Sequence, residues 1–341
     1  MVISFLGERG NTFFRAEPTP QPVVSQPIPS TIKSDIDAII ARNKLSQSDV
    51  YNYMNKKPLI IHCCHHKTGT VVIEKILRAV AAHFGMKYQY CSQNDLEADT
   101  DIWLQHHSHV DFDKLDRPVI GTHMIRNPCA IIVSAYEYHK TTIEGWANRK
   151  IKILNGVTYK SILNSLDLEN GVIFEMKNDF YVESSKNTIM DIYNWDYKRP
   201  NFLELKFEDL MTDYNGTLAN MFKHYGFSKD MIETSLTIAK KFNLRNKKEE
   251  DLQNNKHVTN KNIDLDKWKD YFRNQNIIKR FWKIYPEDIF EKIGYVTDNL
   301  RTLEYSSPDR PAPLLLNSNT KKILKKDNLW KQYNGETPYV L

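Results

Sequence analysis

Glycine is scarce in this 341-residue chain, with 12 in all. No two of them stand in a G-x-G arrangement and none is followed by lysine, which excludes the dinucleotide-binding fingerprint and the standard Walker A loop. Cysteine is scarcer still. Of the four, Cys63 and Cys64 are neighbours while Cys91 and Cys129 stand alone, so no disulfide framework is implied and a reducing compartment is expected. No stretch approaches the roughly 18 consecutive apolar residues of a spanning helix. The opening MVISFLGERG carries too short an apolar run for a secretory leader, so the expected location is cytoplasmic, with no membrane partner. Charge of one sign is not in large excess either: 47 Lys plus Arg against 42 Asp plus Glu leaves +5. That balance does not call for a nucleic-acid partner and suits a small anionic ligand. The lysine runs KKFNLRNKKEE and KKILKKD read as solvated faces.

What is present describes a folded chain. Hydrophobic residues at 41% and charged residues at 26% are ordinary globular usage. Residues 1–57 read as an N-terminal arm with short helices and a Pro-rich segment, Ala16 to Thr31, and residues 299–341 as an irregular C-terminal tail. Between them, 58–298 alternates strand and helix. PLIIHCC suits a buried strand, and in the following GTVVIEKILRAVAAHFG the residues Val72, Ile73, Ile76, Leu77, Val80 and Phe84 recur at helical spacing. DIWLQHH and PVIGTHMIRN are strand-like, NPCAIIVSAYEYHK opens a helix on proline, and NFLELKFEDL reads as a further strand-like run. The expected fold is α/β: a single domain with a central, mainly parallel sheet flanked by helices, binding its ligand at the carboxyl ends of strands.

Two strand-to-helix junctions carry chemistry. In HHKTGT, His65 to Thr70, a turn at a helix amino terminus exposes backbone N–H groups, Gly69 permits close approach and Lys67 adds positive charge, which suits phosphate or sulfate. An N-capping turn with a solvated lysine explains the same residues. In IRNPCAIIVSAYEYH, Arg126 closes a strand and Ser134 stands two helical turns on, so a single ligand reaches both only by bridging the gap. A surface arginine and a helix serine bonded back to the backbone is the plainer reading. HCCHH suggests a metal, but neighbouring strand residues face opposite ways and no paired C-x-x-C occurs, so no metal is expected.

In order along the chain, these segments resemble the sulfotransferases that use 3′-phosphoadenosine 5′-phosphosulfate (PAPS). HHKTGT is similar to the family's phosphosulfate loop P-K-[ST]-G-T-[TS], and IRNPCAIIVSAYEYH to its 3′-phosphate motif R-[DN]-P…S-x-Y. LELKFEDLMTD is similar to the family's next strand and E-D-L turn, and HVTNKNIDLDKWKDYF to its late R-K-G-x-x-G-D-W loop. The resemblance runs from about Pro58 to Tyr295 and implies a P-loop-like fold with PAPS as sulfuryl donor and no metal. By it, Lys67, Thr68, Gly69, Thr70 and Val71 cradle the phosphosulfate, Arg126 and Ser134 hold the 3′-phosphate, and Phe207 lies against the adenosine. Val71 departs from the usual Thr or Ser. Aligned on Trp268, Lys261 falls at the family's late-loop arginine, with Asn262 and Ile263 at its Lys and Gly.

The resemblance further implies that Lys67 assists the departing phosphate and that a histidine at a strand end takes the acceptor's proton. LQHHSHVD offers His107 first, then His106 and His109, with Glu74 in reserve. His139, Glu144 and Trp146 border the expected pocket for a small-molecule acceptor, a hydroxyl or amine compound. A P-loop-type kinase, or a catalytically silent nucleotide-binding module of the same fold, are the competing readings.

Overall fold

The computed structural model describes residues 56–150, 156–177, 185–199, 201–247, 250, 264–295 and 300. The Pro-rich arm, the C-terminal tail beyond residue 300 and Lys261 lie outside the described residues.

Five strands form one sheet: β1 (Leu59–Cys64), β2 (Tyr88–Tyr90), β3 (Ile102–His106), β4 (Val119–Ile125) and β5 (Phe202–Lys206). Their spatial order is β2-β3-β1-β4-β5, and every neighbouring pair is parallel. β1 is buried along its whole length because both faces are covered, which is why its sequence does not alternate with exposed polar residues; its one polar side chain, His62, meets the Thr122 hydroxyl at 2.8 Å. Ile60 and Cys64 join the core on one face, and Leu59, Ile61 and Cys63 join Trp103 and Trp195 on the other. The two adjacent thiols therefore belong to opposite layers. Burial raises both, Cys64 to about 12, so they remain protonated and free.

On the first face, α1 (Thr70–His83) packs Ile73, Ile76, Leu77 and Val80, all fully buried, against the sheet. Each such side chain contributes about 1.5–3 kcal/mol of transfer free energy. The second face carries α2 (Pro128–Thr141), α3 (Tyr159–Ser165), α4 (Leu168–Lys177) and α5 (Ser185–Asn194). The start of α2 is set by its sequence: the Asn127 side chain accepts from the N–H groups of Cys129 (2.9 Å) and Ala130, and Pro128 occupies a position that needs no donor. After β5 come α6 (Phe207–Thr212), α7 (Tyr214–His224) and α8 (Lys229–Ala239), which return to the α1 face, and α9 (Gln275–Ile284) joins the α2 face.

Two details differ from the sequence reading. NFLELKFEDL is not one strand: the strand stops at Lys206 and a helix begins at Phe207, with Glu208 and Asp209 in its first turn, where acids favour helix starts. β2, a three-residue edge strand, was not expected, since three residues are too few to show alternation.

The topology fixes where a ligand can sit. From β1 the chain leaves through α1 toward β2, and from β4 it leaves through α2 toward β5, so the two connections diverge and open a crevice at the carboxyl ends of β1 and β4. The residues that meet there are His65 to Gly69 and Arg126 to Asn127. Among the described residues, no helix is long and apolar enough to cross a membrane.

Candidate active site

Beyond Cys64 the chain turns through His65–Gly69, a turn closed by its own polar groups. The buried Thr68 hydroxyl donates to the His65 carbonyl (2.8 Å) and accepts from the His65 N–H (3.0 Å), and the Thr70 hydroxyl donates to the same carbonyl (3.0 Å). Both hydroxyls are thus spent on bracing the loop, which leaves ligand contact to the backbone. Lys67 and Gly69 are left-handed, with φ of 65° and 99°. At Gly69 a Cβ would also come within 2.9 Å of the Phe207 ring, so only glycine fits. Gly69 starts α1 with no side-chain cap and no acid in the first turn, so the amides of a helix amino terminus face the crevice with their positive dipole end unopposed. Val71 stands in this first turn and supplies an N–H, as any residue would.

The Lys67 ammonium lies 4.1 Å from the centre of the Tyr138 ring. Burial, and then the nearby Arg126 charge, hold Lys67 down to about 7, against the opposing pull of Glu144, Glu137 and Glu175. Arg126 follows β4 directly. Its Nη1 donates to the Lys67 carbonyl at 2.9 Å, and its guanidinium lies 4.5 Å from the centre of the Phe207 ring. Its Nε is buried and has no partner among the described residues. Phe207 therefore forms a floor beneath both Gly69 and Arg126. Next to it, Glu208 accepts from the Asn127 N–H (3.1 Å) and from the Tyr295 hydroxyl (2.6 Å), fastening α6 to the turn that holds Arg126. Ser134 is buried on α2. One turn further, Glu137 accepts from Lys267 (2.5 Å) and Tyr271 (2.7 Å), which ties the segment around Trp268 to the same helix.

Histidines crowd the other side of the loop in two chains. In one, His123 donates from Nδ1 to Glu204 (2.7 Å) and meets His65 Nε2 to Nε2 (2.8 Å), and His65 meets the Ser108 hydroxyl (2.9 Å). Trp195 stacks on His123 at 4.2 Å and donates to the same glutamate. In the other, Glu175 accepts from Tyr159 (2.8 Å) and from His139 Nδ1 (2.9 Å), and His139 meets His66 Nε2 to Nε2 at 3.0 Å. At the end of β3, His106 and His107 stack with ring centres 3.9 Å apart, and His107 and Ser108 are both left-handed. The His66 ring centre is 6.4 Å from that of His106 and 6.0 Å from that of Tyr138.

Residues 122–293, just over half of the chain, match the family model of the sulfotransferase domain. The chain belongs to the sulfotransferase family. The matched part begins within β4 and includes Arg126, Ser134, Phe207 and Trp268; the lysine loop lies ahead of it. A comparison with curated proteins gives no match. Solved structures resemble this sulfotransferase at low identity. One is the mouse sulfotransferase SULT7A1 complexed with PAP, at 13% identity over 78% of this chain and 94% of that chain, with a TM-score of 0.41. Another is retinol dehydratase in complex with androsterone and inactive cofactor PAP, at 12% identity over 85% and 84%, with a TM-score of 0.35.

The remaining residues singled out from the sequence are distributed unevenly over this sulfotransferase. Glu74 is directed along α1 to Arg78, at 2.6 Å. His109 is largely exposed and paired with Asp191 at 3.2 Å. Glu144 accepts from the Tyr138 hydroxyl and from Trp146 Nε1 (2.6 Å), so Glu144 and Trp146 adjoin the lysine through Tyr138. His139 is fully buried, bonded to His66 and in ring contact with Trp146 at 4.8 Å. Sequence reasoning singled out neither Tyr138 nor Glu175, and took His65 and His66 only as parts of HHKTGT and HCCHH. The available signal was the doubled histidine ahead of Lys67, where the family usually has proline. Among the described residues, no group of three or more His, Cys, Asp or Glu is placed to hold a metal ion.

Proposed function

We propose that this sulfotransferase moves the sulfuryl group of PAPS in line to a hydroxyl or amine of a small-molecule acceptor, in the cytoplasm, with a histidine taking the acceptor's proton. The observation that carries the reading is the 2.9 Å bond from Arg126 to the Lys67 carbonyl, which makes two anion-binding elements neighbours in one crevice. PAPS supplies a transferable sulfuryl group on a phosphate leaving group. The loop amides and Lys67 suit the phosphosulfate, while Arg126, with its unpartnered Nε, and Ser134 suit the 3′-phosphate. Phe207 offers an apolar wall to the adenosine. ATP has no 3′-phosphate, so a site with two anion elements discriminates against it. Lys67 stabilises charge on the departing phosphate oxygen. His106 and His107 at the end of β3, and His66 in the loop, are the imidazoles on the acceptor side.

The test is direct. PAP, the product nucleotide, is expected to raise the melting temperature, and PAPS to be turned over with a panel of phenols, alcohols and amines. No shift at millimolar PAP removes the reading. Binding without turnover identifies a silent module instead, and turnover of ATP a kinase.

The position of Lys67 gives PAP binding a defined pH dependence. Because its free-state value is about 7, Lys67 is already charged below that pH and affinity changes little on its account. Above pH 7 the free side chain is neutral, and binding a dianion must recruit a proton. Affinity is therefore expected to fall between pH 7 and 9, approaching about tenfold per pH unit. Calorimetry in buffers of different ionisation enthalpy should register proton uptake at pH 8 and little at pH 6.5.

A further inference from the structure

We propose that His65 and His123 are positioning residues for the transfer: with Ser108 and Glu204 they form one line of hydrogen bonds that holds the turn at the end of β3 against the lysine loop, and so govern the rate of transfer and not the binding of nucleotide. The proposal rests on the sulfotransferase reading above, in which that turn lies on the acceptor side. It names no further base.

The line runs across the sheet. Strand pairing sets Cys64 of β1 beside His106 of β3, Cys63 beside His123 of β4, and His123 beside Glu204 of β5, which brings the participants level. At one end the Ser108 hydroxyl donates to the Cys64 carbonyl (3.3 Å) and lies 2.9 Å from His65 Nε2. His65 Nε2 meets His123 Nε2 at 2.8 Å, and His123 Nδ1 reaches Glu204 at 2.7 Å. The carboxylate only accepts, so His123 carries its proton on Nδ1 and presents a lone pair at Nε2. His65 then donates from Nε2, with His123 and the Ser108 oxygen both facing that N–H. Burial, and then the neighbouring His123, hold His65 well below the usual histidine range, so it stays neutral and the line does not depend on its titration. Trp195 closes the far end, stacked on His123 and donating to Glu204 at 2.9 Å.

Position separates this line from ordinary packing. Ser108, His65 and His123 are buried, where apolar groups of the same shape would serve stability as well. The backbone ladder between β1 and β3 ends at Cys64 and His106, and beyond that point the Ser108 bonds join the two departing chains. At that same point His107 and Ser108 are left-handed, with φ of 71° and 58°, a conformation that residues other than glycine keep only where their surroundings hold it. On its other side His65 is the root of the lysine loop, since its carbonyl accepts from the hydroxyls of Thr68 and Thr70. One residue thus ties the two together: its side chain holds the β3 turn and its backbone holds the loop that carries Lys67. Removing the ring nitrogens frees the turn and leaves the loop's own bonds in place, so transfer and nucleotide binding should respond separately.

Two measurements on the full chain test this. Amide hydrogen exchange over residues 106–110 should quicken in His65→Phe and in Ser108→Ala, while the amides of β1 and the PAP-induced melting shift stay as in the unmodified protein; unchanged exchange over 106–110 in both variants overturns the proposal. In kinetics, PAPS turnover is followed with 2-naphthol, or to water where no added acceptor reacts. His65→Phe and His123→Phe should each lower kcat by about a hundredfold and Ser108→Ala by about tenfold, the scale of a misplaced reacting group, with the KM for PAPS unchanged. His65→Gln, whose amide nitrogen reaches the Nε2 position and can donate to both partners, should recover kcat to within about fivefold of the unmodified protein, a rescue that filling space alone would not give. A fall in PAP affinity as large as the fall in kcat, or equal kcat in His65→Gln and His65→Phe, also overturns the assignment. If the phenylalanine variants do not fold, Ser108→Ala decides by its exchange and its kcat. Absence of a PAP shift, or of any PAPS turnover, in the unmodified protein is instead a failure of the functional reading.

Discussion

Replacing Lys67 by alanine is expected to lower kcat/KM for PAPS by about a thousandfold while leaving the unliganded fold intact. A positioned cation at a developing oxyanion is worth about 10²–10³ in rate, and in the proposed site the same ammonium would also meet the ground-state dianion. Among the described residues its ammonium makes no hydrogen bond or ion pair, only the contact with the Tyr138 ring. Its carbonyl, not its side chain, holds Arg126, and the ammonium rests on Tyr138. The sign of the stability effect follows from its lowered value. Folding must suppress protonation of a group that takes up protons near pH 10.5 when unfolded and near 7 when folded. The charged form therefore burdens the folded state fully below pH 7, and progressively less as pH rises toward 10.5. Lys67→Ala should accordingly melt no earlier than the parent when unliganded, with its relative advantage largest below pH 7. The PAP-induced shift, by contrast, should disappear. A variant that melts early without ligand would mean that the loop needs the ammonium for its own shape.

Arg126→Ala is expected to weaken PAP on the order of a thousandfold and to erase most of its preference over 5′-AMP. Two charge-assisted hydrogen bonds at about 1.5–3 kcal/mol each supply that magnitude. The substitution also removes the donor to the Lys67 carbonyl and uncovers the face of Phe207. Because the same side chain also braces the loop through the Lys67 carbonyl, the loss should exceed what a lone surface arginine would give, and some of it should appear with 5′-AMP as well. Calorimetric titration of the parent and the variant with both nucleotides separates the two parts. An unchanged ratio of PAP to 5′-AMP affinity would place the 3′-phosphate elsewhere.

The sulfotransferase core was legible where chemistry and chain direction coincide. HHKTGT and IRNP each follow a strand and open a helix, so their position at the crevice follows from connectivity alone. The histidine chains were not legible, because their partners are set by topology. His65 and His123 are 58 residues apart, His66 and His139 73, and His139 and Glu175 36. No local spacing announces such pairs. The boundary after Lys206 was hidden for another reason. FLELKFEDL contains good strand and good helix residues without a break between them, and the change falls at Phe207, whose ring lies against Gly69.

The short outer strand β2 has a consequence for how this molecule meets others of its kind. Three residues offer a neighbouring chain almost no ladder to extend, and the lysine just before them is clamped by Glu97 and Asp99 at 2.6 and 2.5 Å. Charge set against so brief a rim discourages strand-on-strand recruitment and the fibrous growth that follows from it. Along that border, among the described residues, self-association has only three residues of backbone to copy.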